Sequence, residues 1–187
     1  MRRLGPADYR VMPWKNGGGS TTELLIHPPG ATLDGGFLWR LSRADVAVSG
    51  PFSRFPGVDR TLMLLTGHGL DLDHGEHGRQ RLEGPFLPVS FSGDWATSGT
   101  LLDGPCRDFN VLSARGKVRH QLEVLTVEGP RPLPGADLLL VYCLRGRAEV
   151  RGVSLAEGEL LELDGRPAPS ASAPGGAELA VVQLFQQ

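Results

Sequence analysis

Cys106 and Cys143 are the only thiols in 187 residues. That scarcity excludes a disulfide-framed secreted scaffold and points to a reducing cytoplasm. An excess of either charge is missing too, with 19 Lys and Arg against 21 Asp and Glu. Without a net field to hold a polyanion or an acidic membrane surface, nucleic acid and membrane are excluded as partners. No uncharged apolar run of about 20 residues occurs, and Leu4-Gly5-Pro6-Ala7-Asp8 after Met1-Arg2-Arg3 is no signal-peptide core. The chain reads as soluble, unprocessed and cytoplasmic.

Catalytic motifs are scarce as well. Among His27, His68, His74, His77 and His120 there is no His-x-His pair of the kind that begins many β-barrel metal sites. His74 and His77, in Asp73-His74-Gly75-Glu76-His77-Gly78, read as an exposed hairpin loop, where a two-residue spacer places ligands poorly. His68 is the histidine placed to face a strand interior, where a lone imidazole is normally hydrogen-bonded and structural. No serine sits in a Gly-x-Ser-x-Gly elbow, and no serine or cysteine is spaced for activation by a histidine. The run Lys15-Asn16-Gly17-Gly18-Gly19-Ser20-Thr21 has its lysine before the glycines, the wrong order for a phosphate loop. Catalytic residues, metal ligands and cofactors are therefore assigned as none.

What the chain does have is turn formers and short apolar runs. Its 26 glycines and 15 prolines oppose long helices, while a hydrophobic share of 40% is too high for disorder. Many short strands joined by tight turns follow, an all-β protein. The organising stretch is Gly36 to Gly67. In its first strand Phe37, Trp39 and Leu41 share one face and Leu38, Arg40 and Ser42 the other, because successive side chains alternate. Its second strand, Arg60 to Leu65, runs too uniformly apolar for a half-exposed position and reads as central. Between them, Ser49 to Gly57 mixes turn residues with Phe52, Arg54 and Phe55, the composition of a loop packed on itself.

Strands are also expected over 9–14, 20–26, 85–91, 95–102, 108–112 and 117–127, with a polar loop from Asp73 to Arg81. The proline-rich Glu128 to Gly135 reads as a rigid connection dividing lobe 1, about residues 1–127, from lobe 2, about 128–187. Leu62 to Leu112 resembles Leu138 to Leu184 in its order of strand, glycine turn, second glycine turn and strand. A repeat of β units without helices suggests two jelly-roll-like β-barrels packed as one compact unit, with Pro167 to Gly176 an exposed loop inside the second. A homodimer through sheet edges is compatible with such barrels, although no residue specifies it.

One polar set stands out against this background. Arg40 and Ser42 share a strand face, Arg60 opens the next strand, and Asp108 and Asn110 share a face of a third. The planar fork of arginine matches a carboxylate, and Asn16, Ser42, Ser53 and Asn110 offer neutral donors and acceptors. Such a set suits a small carboxylate or amide. The competing reading is a wet sheet face, or an Arg60–Asp108 structural ion pair.

Four spaced motifs favour the first reading: Met12-Pro13-Trp14-Lys15-Asn16-Gly17-Gly18-Gly19-Ser20-Thr21, Trp39-Arg40-Leu41-Ser42-Arg43-Ala44, Gly50-Pro51-Phe52-Ser53-Arg54-Phe55-Pro56-Gly57-Val58-Asp59-Arg60 and Gly104-Pro105-Cys106-Arg107-Asp108-Phe109-Asn110. In that order they resemble the successive signatures of the HutD/Ves family, strongly from Tyr9 to Ser113 and mainly by pattern beyond. The resemblance implies a bacterial, cytoplasmic bicupin without the usual cupin metal ligands. It also implies a modulator of histidine utilisation that senses a pathway intermediate, such as N-formylglutamate or urocanate, instead of an enzyme. The positions carried over as ligand-binding are Trp14, Asn16, Arg40, Ser42, Phe52, Ser53, Arg60, Asp108 and Asn110, with a small carboxylate metabolite as partner. A metal-dependent cupin enzyme of isomerase or dioxygenase type, with His68 and a carboxylate as ligands, is the alternative.

Overall fold

The structure, a computed structural model, describes residues 1–34 and 36–187. The strands in chain order are β1 (Arg2–Leu4), β2 (Arg10–Pro13), β3 (Gly19–His27), β4 (Trp39–Val46), β5 (Gly50–Pro51), β6 (Val58–Thr66), β7 (Leu70–Asp73), β8 (Arg79–Leu82), β9 (Val89–Ser92), β10 (Ser98–Leu101) and β11 (Cys106–Ala114). After them come β12 (Val118–Val127), β13 (Arg131–Pro132), β14 (Leu138–Val150), β15 (Val153–Ala156), β16 (Leu160–Asp164), β17 (Ser170–Ser172) and β18 (Ala177–Gln186). Among the described residues there is no α-helix, only two single 3-10 turns, at Pro6–Asp8 and Gly75–His77. None is long and apolar enough to cross a membrane.

Residues 10–117 form one unit, in which a six-stranded antiparallel sheet, ordered β2-β3-β4-β11-β6-β9, is joined by a four-stranded sheet, β5-β10-β7-β8. Leu62, Leu64, Ala44 and Val46 of the larger sheet pack with Leu70, Leu72 and Leu82 of the smaller one in a single apolar cluster. The central pair, β4 and β11, is buried almost throughout, so the polar residues that alternate with apolar ones along both strands lie inside the protein instead of on a wet face. Leu41, Phe109 and Val111 fill one face of that pair, and Arg40, Ser42, Asp108 and Asn110 occupy the other. β6 lies beside β11, interior to the sheet as its apolar run requires.

The register brings the polar residues into rows. Arg40 pairs across with Leu112, and Leu112 with Arg60; one row on, Ser42 pairs with Asn110, and Asn110 with Leu62. Side chains opposite one another across antiparallel strands lie about 5 Å apart at Cβ, so each row is a line of neighbours. A β-bulge between Glu23 and Leu25 shifts the adjoining strand, leaving Glu23 beside Ser42 and Ile26 beside Arg40.

The other unit contains residues 1–9 and 118–187. In it β14, thirteen residues long, pairs with β16 and β18 along its first part and with β15 and β17 along its last. β12 extends the sheet beyond β18, and β1 extends it beyond β16, with Leu4 opposite Leu160. The core is aliphatic, including Leu139, Val141, Leu155, Leu161, Leu163, Leu179 and Val181.

Several expectations are corrected. The division falls at 117/118 instead of 127/128, and residues 1–9 belong with the later unit, because β12 and β1 find their hydrogen-bonding partners there. Within the expected rigid connection, Arg131 and Pro132 form a short strand paired to β17. β17 lies in the segment read as an exposed loop, where Ala171 within the strand and Ala173 just after it are buried at 1% and 0% exposure. Small residues in proline-rich company are here core residues. Asp73 to Arg81 is a hairpin of β7 and β8 held by the Arg79–Asp73 and Arg81–Asp71 ion pairs, not a loop. The strand expected from Phe37 begins at Trp39.

Candidate functional site

A cavity of about 700 Å³ opens in the unit formed by residues 10–117, and all nine residues singled out from the sequence line it. That volume is in the range of small-molecule sites. The nine divide by depth. Arg40, Ser42, Arg60, Asp108 and Asn110 form a buried polar base, Trp14 and Phe52 are half-buried walls, and Asn16 and Ser53 are exposed at the rim.

Both aromatic walls rest on glycines. At Gly19 a side chain would collide with the Asp45 carbonyl and the Trp14 ring, and at Gly99 it would collide with the Phe52 ring. The glycines leave the space the rings occupy. Trp14 is held further by its indole Nε1–H, which donates to Thr21 Oγ1 at 2.8 Å. Phe52 is fixed through its backbone N–H, which donates to the Thr97 carbonyl at 2.9 Å.

At the base, Arg60 Nε–H donates to Asn110 Oδ1 at 2.8 Å, and Asn110 Nδ2–H donates to Asp108 Oδ1 at 2.5 Å. The amide thus sits between guanidinium and carboxyl. The direct Arg60–Asp108 ion pair is absent, and among the described residues no carboxylate is in ion-pair contact with Arg60. Its guanidinium carbon lies 5.0 Å from the Phe52 ring centre and 5.2 Å from that of Phe91, a cation held between two π faces. Burial lowers the Arg60 pKa to about 10, with Asp108 opposing the shift and Arg40 adding to it, so the group stays cationic at neutral pH. Asp108 is raised to about 7, first by burial, with the Arg60 charge and the nearby Ala44 backbone amide acting against it.

Arg40 is balanced differently. Its Nε–H donates to Glu23 Oε2 at 2.8 Å, and Nη1–H reaches Ser42 Oγ at 3.3 Å. Arg40 Nη2 and Asp108 Oδ2 are buried atoms without a hydrogen-bond partner. Buried polar atoms are seldom left so, since each unpaired group forfeits its hydration.

Two expected roles are revised by this geometry. Asn16, offered above as a neutral donor and acceptor for a ligand, has its Oδ1 accepting the Gly18 N–H at 3.0 Å, so the side chain caps its own turn. The Gly17 amide of that turn is engaged as well, donating to the Trp14 carbonyl. Asn110 is likewise spent on its neighbours and acts as a spacer between charges.

The histidines depart from expectation. His74, read as exposed, is 2% exposed, with Nδ1 2.8 Å from Thr97 Oγ1 and Nε2 3.1 Å from Gln80 Oε1, and its ring packs on Phe91 and Trp95. His77 stacks on Trp95, with ring centres 4.5 Å apart. His68, expected to face a strand interior, instead has a side chain 77% exposed beside Asp103. Among the described residues, no group of three or more His, Cys, Asp or Glu is placed to hold a metal ion.

Sequence reasoning missed two groups. Glu23, the partner of Arg40, lies beside the bulge, whose extra residue breaks the period-2 pattern that would have placed it. Asp94 anchors the loop that carries Ser53 and Phe55: its Oδ1 accepts the Gly57 N–H, its carbonyl accepts two Arg54 N–H groups, and its Oδ2 accepts from Arg115. The Arg115 guanidinium, with Gly57 and Ser92, holds the Asp94 carboxyl well below the usual carboxylate range.

The HutD family model matches residues 6–181. The chain belongs to the HutD family. A relative from Pseudomonas putida, described as an uncharacterised 21.2 kDa protein in the hutC 3' region, is 44% identical over 151 residues, covering 80% of this chain and 77% of that one. The protein Ves of Escherichia fergusonii is 38% identical over 132 residues, 66% of this chain and 67% of its own. The solved structure of HutD from Pseudomonas fluorescens superposes with a TM-score of 0.85 at 32% identity, covering 100% of this chain and 98% of that one. At 9% identity the oxalate decarboxylase of Lactobacillus farciminis still gives a TM-score of 0.70 over 99% of this chain and 86% of that one, a likeness of fold alone. The fold is that of the cupins, and the HutD family is associated with the histidine utilisation locus.

Proposed function

We propose that this chain is a non-enzymatic binding protein for a small carboxylate metabolite, a cytoplasmic modulator of histidine utilisation that recognises an intermediate such as N-formylglutamate or urocanate. One observation carries the reading: Arg60 is a buried cation on a cavity wall with no carboxylate in ion-pair contact. Burying a charge without a partner is costly, and an anion against its free edge recovers that cost. The planar fork offers two parallel hydrogen bonds to a carboxylate, strengthened by the low local dielectric. Arg40 Nη2 and Ser42 add donors from the next strand, while Trp14 and Phe52 cover the apolar part of the ligand.

Isothermal titration of the wild-type chain with N-formylglutamate and urocanate tests this. Binding is expected to at least one, and Arg60→Ala is expected to weaken it at least about 100-fold through loss of paired charge-assisted bonds. Arg60→Met retains a stem between Phe52 and Phe91, so loss of heat with a retained melting transition separates binding from folding. Wild-type protein that gives no heat with any acid of the histidine pathway sinks the reading.

A further inference from the structure

Asp108 lies 0% exposed at the base of the cavity, with one oxygen bonded to Asn110 and the other unpartnered. Its place is electrical: among acidic groups, its field acts most strongly on Arg60, with the Asn110 amide between the two. We propose that carboxylate binding in this cavity is coupled to protonation of Asp108, so that the site takes up an anion and a proton together. The proposal rests on the carboxylate-binding reading above and specifies how that site is regulated.

The coupling follows from charge balance. Arg60 favours the ionised form of Asp108, in opposition to burial. A carboxylate seated on Arg60 adds a second negative charge nearby, whose repulsion offsets that attraction. This favours the neutral carboxyl, as when two acids share one site. The proton comes from solvent and goes to the Asp108 carboxyl; no covalent bond of the ligand changes.

The surroundings contain few competitors. On β6 the facing charge is Arg60, and on β4 it is Asp45, itself paired with Arg107 at 2.6 Å, while Arg40 of the same strand lines the same cavity. Glu23 on β3 is engaged by Arg40, and Lys15 is at the exposed rim. On β11 itself the neighbour is the Cys106 thiol, which burial and Asp108 push up to about 11. The smaller sheet presents Leu70 and Leu72 to this core, while its Asp71, Asp73, Arg79 and Arg81 pair with one another at the surface. His74 packs on Phe91, one face of which also carries Arg60 within 5.2 Å.

With Asp108 near 7 before binding and higher after it, affinity is greatest below that pH. It then falls with rising pH, up to about tenfold per unit, until the midpoint of the bound form is passed. Calorimetric titration of the full chain with N-formylglutamate, whose carboxyls stay ionised from about pH 6 to about pH 9, reads this slope. Repeating the titration near pH 7.5 in phosphate and in Tris, buffers of different ionisation heat, counts the protons taken up. We expect uptake of up to about three quarters of a proton per ligand at that pH, since part of the free Asp108 is already protonated there, and a falling affinity above pH 7, with Asp108→Asn giving an affinity that no longer changes with pH. Equal heats in both buffers overturn the proposal even if Asp108→Asn fails to fold. A retained slope in Asp108→Asn also overturns it and moves the proton elsewhere. Absence of heat from wild-type protein with both N-formylglutamate and urocanate fails the binding reading itself, a distinct result.

Discussion

Along β18, the residues facing the core of the later unit are Ala177, Leu179 and Val181, followed by Gln183, which is tied to the Gly135 carbonyl. Along β11 of the earlier unit the same alternation delivers Asp108, Asn110 and Leu112 to the cavity. Both are long, interior-facing strands in antiparallel sheets. One contributes to an aliphatic interior packed without charge, the other to a base of buried ions joined by an amide. Packing density stabilises the first, whereas the second gives up apolar burial to keep donors aimed at a space large enough for a metabolite. The position of a side chain in a strand does not decide whether a β-barrel binds anything; the chemistry placed on its inward face does.

The contrast can be broken by substitutions on either side. Leu139→Ala, in the aliphatic interior, is expected to cost about 4 kcal/mol in chemical denaturation through lost burial and a residual void, while the calorimetric affinity for N-formylglutamate stays within about threefold. Glu23→Ala, in the polar interior, leaves Arg40 buried without its carboxylate and is expected to cost about 3 kcal/mol by the same assay. Unlike the first, it should also alter binding, because the freed Nε of Arg40 becomes a donor toward the cavity. Equal effects of both substitutions on affinity would erase the distinction between the interiors. The smallest effect is expected of His77→Ala, which removes a partly exposed stack on Trp95 and should cost less than about 1 kcal/mol without touching affinity.

Much of this was legible in the chain. Period-2 alternation put Arg40 with Ser42 and Asp108 with Asn110, and those pairs do share the cavity face. Neither the contacts among them nor their depth could be read, since the same alternation fits a wet face. Glu23 stayed hidden because a bulge breaks the period, and Ala171 and Ala173 because alanine among proline and serine carries no pattern of its own. His74 was misread for a physical reason: its neighbours Gly75, Glu76, His77 and Gly78 are polar or small, but Phe91 and Trp95, distant in sequence, close over its ring. The rim signatures around Arg54, Gly57 and Asp59 prove to be anchors, through Asp94 and Arg115, for the loop that bears Ser53 and Phe55.

β1 is the earliest strand described, yet its partner is β16, with Leu4 opposite Leu160. During synthesis it must therefore wait while most of the other strands emerge and pair. Closing so long a loop is slow compared with forming local hairpins. Until it closes, β16 presents a row of open amides and carbonyls, an edge on which a neighbouring nascent chain can add. Crowded expression should make that edge the first place where folding goes astray.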